Sequence, residues 1–217
     1  MKIELKNLSK NFDKNKVIDN INITFTEGNI YGLYGRNGSG KSVIMKLICG
    51  FLIPTEGQIL FDGIDFNTND EYPNSLKAVI ERPSFFPNLT GYENLKLLAE
   101  IQNKISDKEI IESLKIVNLI NEKDKKFSKY SLGMKQKLAI AQAIMEDPKI
   151  IILDEPFNGI EEKTVSKLIK YLKEEKQKGK IIIFSTHIKE DLDNLADKIY
   201  KIENGSIYED WIEFINK

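Results

Sequence analysis

A chain of 217 residues with 41% apolar side chains is long enough for one good-sized domain and too short for two independent enzymes. Its 32 basic and 33 acidic residues are intermixed and leave a net charge of −1, so nothing electrostatic points to a nucleic-acid partner. Cys49 is the only cysteine, which excludes an internal disulfide, and no apolar run approaches the roughly 20 residues of a membrane helix. The opening Met1-Lys2-Ile3-Glu4-Leu5-Lys6 alternates like a strand and lacks the apolar core of a signal peptide. A cytoplasmic protein is expected, one that must borrow a membrane if it acts on one.

Ile3 and Leu5, then Val17 to Phe25, then Ile59 and Phe61 alternate with a period of two. They predict strands separated by the turn signals Glu27-Gly28 and Asp62-Gly63. Ile30-Tyr31-Gly32-Leu33-Tyr34 also reads as a strand, and it runs into Gly35-Arg36-Asn37-Gly38-Ser39-Gly40-Lys41-Ser42. That octapeptide fits the G-x-x-x-x-G-K-[ST] pattern of a phosphate-binding loop. Its glycines let backbone N–H groups approach phosphate oxygens where a side chain would collide. Lys41 places a point charge on the outer phosphates, and Ser42 offers a hydroxyl to Mg²⁺. A buried helix from Ser42 to Cys49 is predicted to aim its positive end at the same anion, with Cys49 in packing rather than redox work. A glycine-rich surface turn is the plainer alternative.

From about Gly91 the texture turns helical. Ser106-x-x-Glu109 is a capping box opening a run with Ile110, Ile111, Leu114 and Val117 on one face. A second helix is expected from Leu132 to Met145, with Ser131 as its cap. Ile150 to Leu153 and Ile181 to Phe184 are continuous apolar runs typical of parallel strands buried on both faces, joined by a helix from Glu162 to Gln177. A hairpin turns at Glu203-Asn204-Gly205, and Tyr208, Trp211, Ile212 and Ile215 suggest a short amphipathic tail. The chain thus divides into an α/β core with an antiparallel β part (1–83 and 147–217) and a helical insert (84–146).

Asp154-Glu155 follows the apolar strand at 150–153, where ligands bind in open α/β sheets. Asp154 suits Mg²⁺, and Glu155 suits orienting or activating a water, although isolated Asp-Glu pairs are often solvated turns. His187, the only histidine, ends the next buried run. A lone histidine is commonly structural, but adjacent parallel strands bring this one near Asp154, where it can sense the terminal phosphate.

With these motifs in this order the chain resembles the nucleotide-binding domain of ATP-binding-cassette (ABC) transporters over essentially its whole length. The resemblance implies an α/β P-loop NTPase fold of the ABC ATPase type. That fold has a RecA-like parallel-sheet core, an N-terminal antiparallel β subdomain and a helical insert. Tyr130-Ser131-Leu132-Gly133-Met134-Lys135-Gln136 looks like the family signature, which implies that Ser131 and Gly133 close over ATP held by a second protomer. Phe12 falls where the family stacks an aromatic ring on adenine; by itself it is equally a strand-end residue. Phe157-Asn158-Gly159-Ile160-Glu161 matches a segment that communicates across the dimer.

Four departures stand out: Leu132 and Met134 in the signature, Glu81 where the family has a Gln that touches Mg²⁺ and the attacking water, and Glu161 in place of a common Asp. A carboxylate still ligates Mg²⁺ but adds negative charge beside the phosphate. The segments around Glu81, Phe86 to Leu95 and Tyr130 to Gln136 are similar to exporter ATPases of the bacitracin-resistance and lantibiotic-immunity type. The resemblance implies an ATP- and Mg²⁺-dependent ATPase, paired as a homodimer or heterodimer and attached to a membrane permease on the inner face of the cell membrane. Phe85, Phe86 and Pro87 then face that permease, with a core role open for one phenylalanine. A soluble ABC ATPase acting on DNA or ribosomes, or a P-loop kinase, are competing readings. The first lacks room for a coiled coil or second cassette, and the second leaves Ser131, Glu155 and His187 unexplained.

Overall fold

The computed structural model describes residues 1–13, 15–65, 75–81 and 84–209. The alternating N-terminal segments form β1 (Lys2–Phe12), β2 (Asn15–Thr26), β4 (Glu56–Phe61) and the short β5 (Ile64–Asp65), joined antiparallel in the order β2-β1-β4-β5. A second sheet of six strands runs β10-β9-β3-β8-β7-β6. Its members are β3 (Asn29–Tyr34), β6 (Leu76–Val79), β7 (Ile150–Leu153), β8 (Ile181–Thr186), β9 (Lys198–Glu203) and β10 (Ser206–Glu209). All neighbours are parallel except β9 and β10. Tyr208 therefore lies in an edge strand rather than an amphipathic tail, and Trp211, Ile212 and Ile215 fall outside the described residues.

Two separate apolar layers explain the uninterrupted Ile and Leu runs. Because side chains alternate along a strand, Ile150 and Ile152 of β7 join Ile181 and Ile183 of β8 in one core. That core lies against the antiparallel sheet and helix α1 (Lys41–Ile48). Ile151 and Leu153 join Ile182 and Phe184 in the other. This second core is covered by α2 (Gly91–Gln102), α3 (Asp107–Ile116), α4 (Leu132–Ile144), α5 (Glu162–Gln177) and α6 (Lys189–Leu195). Cys49 is fully buried at the end of α1, as its apolar neighbours predict.

Helices α2, α3 and α4 start on side-chain caps. Glu109 accepts from the Ser106 N–H at 2.8 Å in the expected box. A second box at Thr90 and Glu93 opens α2, with contacts of 3.1 and 2.7 Å. Asn94, buried on α2, holds the loop before it. Its Nδ2 donates to Phe86 O at 3.1 Å and Thr90 O at 2.9 Å, while its Oδ1 accepts from Phe86 N at 2.8 Å. That tether sorts the two neighbouring rings. Phe85 packs edge-on to Phe127 at 5.2 Å between centroids, and Phe86 is left exposed.

Removing the Asn94 amide leaves the Phe86 N–H without its partner, while Phe86 O keeps the Leu89 N–H, so Asn94→Ala is expected to lose about 2 kcal/mol of stability in urea unfolding. A loss below about 0.5 kcal/mol would show that the loop finds other partners.

Candidate functional site

Four loops leave the carboxyl edge of the parallel sheet side by side, in the order set by β3, β8, β7 and β6. They carry, in that order, Gly35 to Ser42, then His187, then Asp154-Glu155, then Glu81. The strand order alone brings together residues more than a hundred positions apart, at the edge where α/β sheets take ligands.

The loop from β3 enters α1 through Gly40, whose φ of 109° is barred to most L side chains. A Cβ there would also lie 2.7 Å from Ile18 Cδ1. No side chain caps α1, so its first N–H groups face the loop with the positive end of the helix. Lys41 is 6% exposed, and its ammonium donates to Gly35 O at 2.7 Å and Arg36 O at 3.2 Å. Glu155 Oε1 lies 3.6 Å from it. Arg36, Asn37, Gly38 and Ser39 line a cleft of 720 Å³ together with Val17 and His187. The Ser39 hydroxyl is buried there without a protein partner.

The two carboxylates after β7 are held by different donors. Ser42 Oγ donates to Asp154 Oδ2 at 2.6 Å, and the Ser185 hydroxyl donates to Asp154 Oδ1. Ser185 Oγ in turn accepts from the Glu155 N–H at 2.9 Å. Glu155 adopts φ 48°, in the left-handed region. Its two carboxylate oxygens lie 3.1 and 3.0 Å from His187 Nδ1, and Asn158 Nδ2 is 3.5 Å away. The turn bearing His187 is fixed by Thr186. Its hydroxyl donates to Asp191 at 2.7 Å and accepts from Ile188 N at 3.0 Å. Burial raises the Asp191 carboxyl above its usual pKa.

The donor chemistry matches what the loop asks for. A buried cation and an unpartnered hydroxyl suit phosphate oxygens, and a hydroxyl touching one carboxylate suits Mg²⁺, which takes few protein ligands and completes its shell with phosphate and water. Among the described residues no cluster of three or more His, Cys, Asp or Glu is arranged to hold a metal by itself.

Glu81 sits apart from this arrangement. It has φ 66° and an exposed side chain, and its carboxylate pairs with Lys46, one helical turn beyond Ser42, rather than with Ser42 or Asp154. The cation on α1 outcompetes the hydroxyl for a carboxylate at the end of β6. Phe12 is 42% exposed at the end of β1, with the Lys10 ammonium 5.1 Å from its ring, and it does not line the cleft. Val17, Tyr34 and Ile202 are the apolar residues that do. Ser131 caps α4 by accepting from Met134 N at 3.2 Å, and neither it nor Gly133 lines the cleft. Leu132, between them, is 68% exposed. Sequence inspection does not single out Val17 or Ser185. Only the tripeptide Ser185-Thr186-His187 ending an apolar run hints at the latter.

The ABC transporter family matches residues 18–158 of the chain. The chain is 39% identical over 210 residues to the bacitracin transport ATP-binding protein BcrA of Enterococcus faecalis, covering 96% of this chain and 68% of that protein. It is 35% identical over 205 residues to the lantibiotic transport ATP-binding protein SrtF of Streptococcus pyogenes, covering 94% and 88%. A dimeric ATP-binding cassette solved in a post-hydrolysis state with ADP and Pi matches with a TM-score of 0.87 at 26% identity, covering 96% of this chain and 97% of the other.

Ser185→Ala removes one donor from Asp154 and orphans the Glu155 N–H. The variant is expected to unfold in urea with a loss of about 1–3 kcal/mol. Wild-type stability would show that water replaces the serine without cost.

Proposed function

The chain belongs to the ABC transporter family as an ATP-binding subunit and ATPase, and from that premise we propose a two-site motor. Two copies, or this chain and a close partner, close around ATP and drive a separate membrane subunit. The proposed cargo is an antimicrobial peptide or a similar amphipathic compound, moved outward. One observation carries the reading. The dipeptide that follows β7 sets Asp154 on Ser42, and Glu155 between His187 and Lys41, beside the phosphate loop.

Each residue then has a role. Gly35 to Gly40 present backbone N–H groups to the phosphates, and Arg36, Asn37 and Ser39 complete the cradle. Lys41 gives up its carbonyl partners in the loop for phosphate oxygens and stabilises charge that spreads there during transfer. Ser42 and Asp154 supply the oxygen ligands for Mg²⁺. When bound, that ion neutralises charge on the outer phosphates. Glu155 accepts a hydrogen bond from the attacking water and orients it, while His187 holds the carboxylate and reaches toward the terminal phosphate. Ser131 and Gly133, absent from the cleft of their own chain, cover the partner's ATP with the uncoupled N–H groups of α4. The exposed Leu132 is then buried at that junction. Phe12 and Val17 are the apolar candidates for the base.

Among the described residues no helix is long and apolar enough to cross a membrane, which supports a separate membrane subunit. Phe86, Leu97 and Ile101 are 59%, 38% and 75% exposed, and they form the apolar surface proposed to meet it. Phe85 is spent on the core and drops out of that surface. The proposed cargo follows the named transport roles of BcrA and SrtF. Helices α2 to α4 are proposed to move as the lid-bearing part of the chain. Glu81, paired with Lys46, is proposed to reach Mg²⁺ only after that pair opens.

Glu155→Gln should keep ATP binding, cut turnover by at least about a hundredfold and trap an ATP-bound dimer on size exclusion. A monomer with normal turnover would remove the mechanism. Glu81→Gln should retain or raise basal ATP hydrolysis, because the neutral amide removes one negative charge beside the phosphates. Complete loss would mean that the carboxylate itself is required.

A further inference from the structure

Strand β8 ends on Ser185 and Thr186, and because side chains alternate along a strand their hydroxyls serve opposite sides. Ser185 serves Asp154 and the Glu155 N–H, whereas Thr186 turns to α6. Thr186 is buried, and its hydroxyl donates to Asp191 Oδ2 at 2.7 Å while accepting from Ile188 N at 3.0 Å. One oxygen thus closes the turn on both sides of His187. The imidazole itself is 44% exposed, so little packing fixes its orientation against Glu155.

Helix capping alone does not account for Asp191. It is the third residue of α6, the position at which Glu93 and Glu109 close the boxes of α2 and α3. Those two glutamates accept the N-cap backbone N–H at 2.7 and 2.8 Å. The hydrogen bonds from Thr90 and Ser106 hold both carboxyls below their usual range. In α6 the corresponding N–H, that of Ile188, goes to the Thr186 hydroxyl, and Asp191 takes the hydroxyl instead. Burial raises the Asp191 carboxyl, and the charges of Glu155 and Glu190 add to the rise, against the lowering by Thr186 and His187. The same chain caps two helices without that cost, so this acid answers to the turn rather than to the helix.

Helix α6 is a fixed base for such a prop. Gly32 of β3 lets it approach so closely that a Cβ there would lie 2.5 Å from Leu192 Cδ2. Just beyond the helix, Asp197 Oδ2 accepts from Ile30 N and its N–H donates to Ile30 O, both at 2.8 Å. Strand β3 runs into the phosphate loop, so that loop, α6 and the histidine turn share one frame.

We infer that Asp191 is a positioning residue for hydrolysis, holding through the Thr186 hydroxyl the turn that sets the His187 imidazole on Glu155. The inference rests on the reading above, in which His187 and Glu155 act on the terminal phosphate and the water, and it adds what holds the histidine there. Asp191 acts only through its neighbours, on orientation, where a small misplacement is enough to slow the chemistry.

His187 is the only histidine, so ring-¹⁵N labelling of the full chain gives signals from a single imidazole, and these report which nitrogen is hydrogen-bonded. Asp191→Ala should lower kcat about tenfold, keep the KM for ATP within about twofold and move the imidazole signals of the nucleotide-free protein. Asp191→Asn, which keeps an acceptor oxygen, should recover most of kcat and the wild-type signals. Thr186→Val should match Asp191→Ala, and the double variant should be no worse than either. Wild-type kcat and imidazole signals in Asp191→Ala, even with lower stability in urea, would reduce the residue to a helix cap and overturn the proposal. An asparagine variant no better than alanine would overturn it too. Normal turnover in His187→Ala would instead remove the catalytic reading of the site, and the proposal with it.

Discussion

Two adjacent carboxylates at the end of a buried strand, each needing its own donors, are the constraint around which this molecule is arranged. Side by side at the end of a buried strand, the charges of Asp154 and Glu155 repel each other unless each carboxylate has donors of its own. The backbone turns left-handed at Glu155, and each receives its own donors. Asp154 has two hydroxyls, from Ser42 and Ser185, while Glu155 has the imidazole of His187 and the ammonium of Lys41. Those four donors come from two places, the start of α1 (Lys41, Ser42) and the end of β8 (Ser185 and the following His187). The site therefore exists only when β3, β8 and β7 lie in that order.

The packing secures that order. A strand buried on both faces, flanked by two parallel neighbours, has little freedom to slip, because a one-residue shift would exchange its two sets of side chains between distinct cores. Ile150 to Leu153 fill both layers fully, so the point at which Asp154 emerges is fixed.

Much of this is legible in the sequence, for identifiable reasons. Strands β7 and β8 stand out because burial on both faces leaves an unbroken apolar run, and α5 stands out because its charged and apolar positions keep a helical period. The loop at Gly35 to Ser42 is legible because backbone approach to phosphate tolerates few residue types. What escapes is whatever depends on partners distant in sequence. Ser185 looks like any strand-end serine until Asp154 is placed beside it. The pairs Lys46–Glu81 and Lys137–Glu161 are invisible among so many intermixed charges. The distinction between Phe85 and Phe86 depends on Asn94, whose amide reaches back across a turn. Strand β6 is missed because four residues with two half-exposed positions carry no clear period.

The central claim is that the phosphate loop is half of a site whose other half comes from a second protomer. Cross-linking tests it most directly. Protomers carrying Asn37→Cys are mixed with protomers carrying Leu132→Cys, both positions being exposed, and treated with a short thiol cross-linker with and without ATP. The native Cys49 is buried and stays silent. The account predicts an ATP-dependent covalent dimer joining unlike protomers only. Absence of that product, or linkage between like protomers with equal yield, would contradict it.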